Sequence, residues 1–168
     1  RMIAEGFLEY GAKRVYITAR KAAACDAAAR EMTALGKGEC ISIPCDLSAL
    51  EGIQAFAKAL GEREKKIDIL VNNAGAAWAA DFDEFPEKGW DKVVDLNLKT
   101  PFFLAKELAP LLRAAASAER PAKLINIASI DGIFVNPLET YPYAASKAGL
   151  IHLTRRMAVR LIKDHIVV

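Results

Sequence analysis

The chain has 168 residues, 53% of them hydrophobic and 26% charged, so it can bury one core of ordinary size without disulfides or structural metals. Its 23 basic and 21 acidic side chains are spread along the sequence and leave a net charge of +2, which excludes the basic footprint of a nucleic-acid-binding or membrane-surface protein. No apolar run is long enough to span a bilayer, and the expectation is a soluble protein that acts on a small molecule.

Short β-branched runs alternate with longer helical stretches, which predicts βαβ units around a parallel sheet. In the first half, helices are predicted at 2–10, 21–35 and 48–64, and strands at 14–18, 40–44 and 67–71. Ser48 and Glu51 form an S-x-x-E pattern that predicts a capping box for the third helix. The nearly continuous apolarity of 67–71 predicts a strand covered by helices on both faces.

In the second half of the sequence, helices and strands continue to alternate. Helices are predicted at 86–96, 102–115 and 143–163, and strands at 123–127 and 165–168. The pattern therefore predicts one α/β domain over residues 1–168, with a doubly wound parallel sheet. It begins on a helix and ends inside a strand, so we expect a partial domain that is truncated at both ends.

The three cysteines are odd in number and include no C-x-x-C pair: Cys25, Cys40 and Cys45. This argues against a disulfide framework and a zinc site, so we expect free thiols in a reducing cytoplasm and no bound metal. The first five residues also lack the charged-then-apolar order of a signal peptide.

The strongest chemical signal is the segment from Tyr143 to Lys147, which reads Y-A-A-S-K at the start of the long helix. A spacing of four puts the phenol and the ammonium group on one helix face. A free phenol has a pKa of about 10, and a lysine charge about 4 Å away favours its ionisation by roughly 4 kcal/mol, about what acid–base work near neutral pH requires. Tyr141 is followed four residues later by Ala145, so Tyr143 is the candidate acid.

Other polar residues stand where strands are predicted to end. Asp46, the N-N-A-G segment 72–75 and Ser129 each follow a strand, whereas Asn97 lies on a helix. Because ligands bind at the carboxyl edge of a parallel sheet, we expect these groups to share one crevice. Each has an alternative structural interpretation, as a turn, a helix N-terminal acid or an exposed amide.

Six features in this order resemble the short-chain dehydrogenase/reductase family over essentially the whole chain: Asp46, the segment 72–75, Asn97, Ser129, Tyr143 and Lys147. The resemblance implies a Rossmann-type fold and an oxidoreductase that interconverts a ketone and a secondary alcohol. It also implies a Gly-rich turn for the cofactor pyrophosphate, which we expect before Arg1.

The resemblance implies a role for each candidate catalytic residue. Tyr143 would donate a proton to the substrate carbonyl oxygen, and Ser129 would hydrogen-bond the same oxygen. Lys147 would make the phenol more acidic and hold the nicotinamide ribose. Asn97 would hold a water that connects Lys147 to solvent.

The expected cofactor is NADP, because no carboxylate follows the strand 14–18 and Arg20 can bind a 2′-phosphate. The resemblance places Asp46 and the backbone of Leu47 at the adenine, and Asn72 along the cofactor. The complete set of expected cofactor-binding residues beyond Asn72 is Arg20, Asp46, Leu47, Asn73, Ala74, Gly75, Tyr143 and Lys147.

The apolar segments 76–78 and 130–142 favour an acyl-chain substrate, and the pattern is most similar to 3-oxoacyl-thioester reductases of the rhamnolipid type. Steroid, polyol and other ketones stay open. A catalytically inactive NADP-binding sensor or scaffold is the main alternative, and a serine hydrolase is disfavoured because Ser129 lacks a G-x-S-x-G elbow. By the same resemblance we expect a homotetramer or dimer. The balanced charge and the lack of a long apolar run predict no nucleic-acid or membrane partner.

Overall fold

Five short parallel strands form the sheet layer, in a computed structural model that describes all 168 residues. The strands are β1 Arg14–Ile17, β2 Glu39–Ser42, β3 Ile69–Asn72, β4 Ala122–Asn126 and β5 Ile166–Val167. β1 pairs with β2, and β3, β4 and β5 form a second sheet in that order. Every pairing is parallel, with Val15 opposite Cys40 and Leu70 opposite Leu124. The predicted α/β architecture is confirmed.

Six α-helices connect and cover the strands: α1 Met2–Glu9, α2 Ala22–Ala34, α3 Leu50–Arg63, α4 Glu87–Val94, α5 Thr100–Ala115 and α6 Tyr141–Leu161. Each predicted helix and strand ends within two residues of its predicted bounds. None of the helices combines the length and the apolarity that crossing a bilayer requires.

The main core lies on one face of the three-stranded sheet. Leu70, Leu124 and Ile166 project from the three strands and are buried against helices α3, α5 and α6. A smaller cluster around Leu8 and Met32 packs α1 and α2 onto the two-stranded sheet. Helices therefore lie against both sheets, and the carboxyl ends of the strands stay free to carry polar groups.

The second face of β3 and β4 is only partly covered. Alternate strand residues point to opposite faces, and on this face Ile69 and Ile125 remain 39% and 38% exposed. The prediction that the strand at 67–71 is covered on both faces is therefore wrong for the residues described. Apolarity indicates that a strand tolerates burial, but coverage depends on which other elements reach it.

α4 and α5 form one continuous helical element rather than two separate helices. A π-turn over Asp95–Lys99 joins them, in which the Thr100 N–H donates to the Asp95 carbonyl five residues earlier. Pro101 lies in the first turn of α5, where its missing N–H is tolerated. The break predicted between residues 96 and 102 is therefore wrong, and the π-turn carries Asn97, which is only 1% exposed.

The start of α3 also differs from the prediction. The helix begins at Leu50 after Ala49, without a side-chain cap, so the predicted capping box of Ser48 and Glu51 is wrong. Instead the Ser48 hydroxyl and N–H donate to Asp46 Oδ1, at 2.7 and 3.0 Å. Aspartate competes well for such local bonds, and it commits Ser48 to the turn that precedes the helix.

Candidate active site

Tyr143 and Lys147 lie in the first turns of α6, where Pro142 fits because its fixed φ and missing N–H suit a helix start. The Lys147 Nζ lies 5.6 Å from the centroid of the Tyr143 ring, within cation–π range. The same ammonium group donates to the Ile127 carbonyl at 2.7 Å. The structure therefore brings the two residues together as their spacing predicts.

Lys147 is a buried cation, with only 6% of its surface exposed. Burial lowers the pKa of its ammonium group below the usual value, because a charged group loses solvation inside the protein. The Ile127 carbonyl is its one protein hydrogen-bond acceptor and partly offsets that loss. A cation held in this way stays beside the phenol and releases a proton more readily than a surface lysine.

Ser129 follows β4 and caps a short 3₁₀ helix, Ile130–Gly132. Its Oγ accepts a hydrogen bond from the Asp131 N–H at 3.2 Å and donates none within the protein. The 3₁₀ helix packs closely on α6, since a Cβ on Gly132 would lie 2.8 Å from the Lys147 carbonyl carbon. Ser129 therefore belongs to the segment that contacts the Lys147 turn, and its hydroxyl proton is free to donate to a ligand.

Asn97 connects three parts of the site. Its Oδ1 accepts from the Ala76 N–H at 2.8 Å, and its Nδ2 donates to the Ala76 carbonyl at 2.9 Å and to Ser146 Oγ at 3.2 Å. Gly75 lies so close that a Cβ there would be 3.2 Å from Asn97 Oδ1. Both amide hydrogens are thus committed to protein acceptors, and the loop after β3 is fixed to the π-turn and to α6.

The N-N-A-G segment divides into a buried and an exposed part. Asn72 is buried, and its Nδ2 donates to Asn126 Oδ1 at 2.8 Å and to the Pro101 carbonyl at 3.4 Å. Its side chain therefore ties β3 to β4 and α5, which corrects the expectation that Asn72 lines a cofactor. Asn73, Ala74 and Gly75 are exposed beyond the carboxyl end of β3, where a ligand can reach them.

Arg20 and Asp46 follow β1 and β2, and both are exposed at the same edge because the two strands are parallel. Hydrogen bonds from Ser48 hold the pKa of Asp46 below its usual range, and the charge of Arg20 acts in the same direction. The Leu47 carbonyl accepts from the Thr100 hydroxyl at 2.5 Å, which fixes this turn to α5. The edge thus offers a guanidinium group and an ionised carboxylate side by side.

The comparisons with known proteins agree with this geometry. The model of the family described as short chain dehydrogenase matches residues 1–168. The chain belongs to the short-chain dehydrogenase family. This short-chain dehydrogenase is 47% identical over 166 residues to the rhamnolipids biosynthesis 3-oxoacyl-[acyl-carrier-protein] reductase of Pseudomonas aeruginosa, a match that covers 99% of this chain and 64% of that relative. It is 38% identical over 136 residues to the 2-dehydro-3-deoxy-D-gluconate 5-dehydrogenase of Escherichia coli, covering 81% of this chain and 52% of the relative.

Solved structures give the same family. The short-chain dehydrogenase matches the Pseudomonas aeruginosa RhlG/NADP active-site complex with a TM-score of 0.94 and 47% identity, over 98% of this chain and 63% of that one. It also matches the L-sorbose reductase of Gluconobacter frateurii, complexed with NADPH and L-sorbose, with a TM-score of 0.89 and 29% identity, over 98% and 60% of the two chains. The predicted Rossmann-type fold and family are confirmed, and the chain spans less than two thirds of these relatives.

Sequence reasoning missed Ser146 in this short-chain dehydrogenase. It lies between Tyr143 and Lys147, is 1% exposed, and bonds both Asn97 Nδ2 and the Tyr143 carbonyl. A serine inside a helix has to bond a helix carbonyl or a neighbouring element. Its position directly before Lys147 was the one sequence signal that Ser146 belongs to the site. Its bonding partner, Asn97, could not be predicted, because Asn97 lies on a π-turn that the sequence did not reveal.

Proposed function

We propose that the full-length protein is an NADPH-dependent ketone reductase that also runs in the reverse direction, with Tyr143 as the proton donor. The observation that carries this proposal is the buried Lys147 ammonium group 5.6 Å from the centroid of the Tyr143 ring. A sensor or scaffold has no need to hold a cation in a place where burial disfavours it. An acid–base pair does need the cation, because the phenol must become more acidic to act near neutral pH.

The chain's own residues supply the acid and the hydrogen bonds of the reaction, and NADPH supplies the hydride. Tyr143 Oη transfers its proton to the oxygen of the substrate carbonyl, so that the ketone becomes a secondary alcohol. The Ser129 hydroxyl, whose proton is unused in the protein, donates a hydrogen bond to that same oxygen. Lys147 stabilises the phenolate that remains. Asn97 holds the loop after β3. Both hydrogens of its side-chain amide already bond protein acceptors, so a water near Asn97 would have to bond other atoms of this residue.

The exposed groups at the strand ends fit NADP. The Arg20 guanidinium group suits a bidentate contact with a 2′-phosphate, and Asp46 with the backbone of Leu47 suits the adenine. Asn73, Ala74 and Gly75 lie open beside the catalytic turn. The Thr18 hydroxyl oxygen, directly after β1, is buried without a protein partner, which fits a polar ligand at this edge. Lys147 and Tyr143 complete the site at the nicotinamide ribose.

We propose a 3-oxoacyl thioester as the substrate, as in the name of the Pseudomonas aeruginosa relative. Apolar side chains that are exposed, or half-buried in the case of Phe85, lie in two segments that precede Tyr143 in the chain, and we call them the apolar patch: Phe82, Phe85, Ile133, Phe134, Leu138 and Tyr141. Tyr141 makes edge-to-face contacts with Phe82 and Phe85, at 5.6 and 5.7 Å between ring centroids. A surface of this kind suits an acyl chain better than a sugar.

The test is NADPH oxidation by the full-length protein with 3-oxoacyl thioesters of increasing chain length. We expect kcat/KM to rise about fourfold per added methylene until the patch is covered. Tyr143→Phe should abolish turnover and spare NADPH binding, whereas the matched Tyr141→Phe variant, which loses an exposed phenol bonded to Glu139, should stay active. Binding without turnover of any ketone would instead establish the sensor alternative.

We further propose a cytoplasmic homo-oligomer, a tetramer or dimer. Its support is the groove between α5 and α6, in which apolar residues such as Phe102, Ala105 and Met157 lie among basic side chains. Light scattering on the full-length protein and on Phe102→Glu tests it, since Phe102 is an exposed residue of this groove and a charge placed there should yield monomers. A wild-type protein that is already monomeric would contradict it.

A further inference from the structure

We propose that Ser146 is a positioning residue, which sets the place of the Tyr143 phenol relative to the loop after β3, residues 73–76, here called the cofactor loop. This inference rests on the proposed function. Ser146 is 1% exposed and lies on α6 between Tyr143 and Lys147. Its Oγ accepts a hydrogen bond from Asn97 Nδ2 at 3.2 Å and donates one to the Tyr143 carbonyl at 2.9 Å. One hydroxyl thus connects the π-turn to the backbone of the proton donor.

The connection continues to the loop after β3. Asn97 bonds both the N–H and the carbonyl of Ala76, so an unbroken series of hydrogen bonds runs from Ala76 through Asn97 and Ser146 to Tyr143. Residues 73–75, directly before Ala76, are the proposed cofactor contacts. The series therefore fixes the distance between the phenol and the cofactor loop, which belong to different elements of the fold.

Removal of the Ser146 hydroxyl has two consequences beyond the loss of packing. The amide hydrogen of Asn97 stays buried without an acceptor, and the first turns of α6 are released from the π-turn. Misplacement of a reacting group by about 1 Å lowers turnover by as much as about 10²-fold. We therefore expect the effect of Ser146 on kcat to exceed its effect on the KM for NADP.

The charged groups near this turn define what a pH profile reports. Lys147 is the cation that faces the Tyr143 ring. Other titratable residues on the elements packed against α6 are Asp131, Asp95, Lys99, Glu87, Lys88, Asp91, Lys92, Lys163 and Asp164. Asp95 pairs with Lys99 at 3.2 Å, and Asp164 pairs with Arg113 and Arg160, and none of these pairs involves Ser146.

Thr154 offers a matched control on the same helix. Its Oγ1 accepts from Asn126 Nδ2 at 2.9 Å and donates to the Leu150 carbonyl at 2.7 Å, so it has the same two kinds of bond as Ser146. It lies two turns further along α6 and has no bond to Tyr143 or to Asn97. Thr154→Val therefore removes an equivalent hydroxyl from a purely structural network.

The experiment measures kcat for alcohol oxidation against pH in the full-length protein and its variants. For Ser146→Ala we expect the plateau value of kcat to fall about tenfold or more, with a smaller change in the KM for NADP. Ser146→Thr should restore much of the rate. Thr154→Val should lower Tm but keep the wild-type kcat and pH profile.

The outcomes separate the two proposals. A wild-type protein that turns over no substrate overturns the proposed function and this inference with it. Wild-type turnover together with an unchanged plateau kcat in Ser146→Ala overturns this inference alone, as does a Thr154→Val variant with the same kinetic defect. If Ser146→Ala does not fold, Ser146→Cys, which keeps the volume and weakens both bonds, takes its place with the same expected direction.

Discussion

The ammonium group of Lys147 lies 5.6 Å from the centroid of the Tyr143 ring, one helical turn away on α6. The position is unfavourable for the cation itself, because burial lowers its pKa. It is favourable for a phenol that has to lose a proton. In the proposed reaction this charge contributes to the chemistry, while its burial costs stability, and both effects can be measured.

Lys147→Met should abolish turnover and leave Tm at neutral pH unchanged or higher. Because the folded-state pKa of Lys147 is lowered, the unfolded chain binds more protons between that value and the usual one of about 10.4. Wild-type stability therefore rises as pH increases through this window, and the methionine variant lacks this rise. Calorimetry should show that the difference in Tm between Lys147→Met and the wild type is smaller at pH about 10 than at neutral pH. A Tm of Lys147→Met clearly below that of the wild type at neutral pH would contradict the argument. The exposed Lys163→Met is the control, with no such trend.

Arg20→Glu should reverse the preference for NADPH over NADH. A bidentate charge-assisted contact contributes about 1.5–3 kcal/mol, so we expect the ratio of kcat/KM values to change roughly tenfold to a hundredfold. Lys13→Glu makes the same charge reversal before β1, at the opposite end of the strand, and should leave the ratio unchanged. An equal change of this ratio in the two variants would mean that the preference depends on the net charge of the protein and not on a contact of Arg20.

Gly52→Ala should weaken NADPH binding and destabilise the protein. A Cβ at this position of α3 would overlap the carbonyl oxygen of Asp46, so the turn that carries Asp46, the proposed contact of the adenine, has to move. Gly61 lies on the same helix with nothing within 4 Å of the added carbon. Gly61→Ala should therefore raise stability by up to about 1 kcal/mol through helix propensity. Isothermal titration with NADPH and chemical denaturation distinguish the two; retained affinity in Gly52→Ala would argue against an adenine site here.

Gly132→Ala should lower kcat by about tenfold or more while cofactor binding persists. The added carbon would lie 2.8 Å from the Lys147 carbonyl carbon and 2.9 Å from the Ala148 nitrogen, so the 3₁₀ helix that follows Ser129 has to move away from α6. Gly149→Ala meets only the flexible side chain of Leu98, at 3.1 Å, and should remain close to wild type. Steady-state kinetics with NADPH titrations test the pair, and equal kcat values in both variants would show that turnover does not depend on the close packing of this 3₁₀ helix against α6.

The elements of the fold were predictable because their signals are local. β-branched runs bounded by glycine and polar residues located each strand to within two residues. The sequence misled where two local signals compete. Ser48 was expected to cap α3, but Asp46, two residues earlier, takes its hydroxyl and N–H. Residues 86–96 and 102–115 were expected to form two separate helices, but a π-turn joins them.

The candidate site was predictable at the level of residue types and the sheet edge, but not of individual bonds. The spacing of Tyr143 and Lys147 gives their proximity directly, because a helix fixes the i, i+4 geometry. The contacts of Asn72 and Asn97 depend on elements far away in sequence. For this reason Asn72 was expected to line the cofactor, whereas its side chain is buried between β3, β4 and α5. Ser146 escaped for the same reason, since its partner is 49 residues away.

The π-turn at Asp95–Lys99 has a further consequence for the helical phase of this region. Each residue of an α-helix advances the side-chain direction by about 100°, so one extra residue in a turn offsets everything after it by that angle. The face of α4 that packs on α6 and the face of α5 that packs on α3 are thus set by the length of one turn. Removing a single residue between Asp95 and Lys99 would rotate Leu104, Leu108 and Leu112 out of the core, with no change in hydrophobic composition.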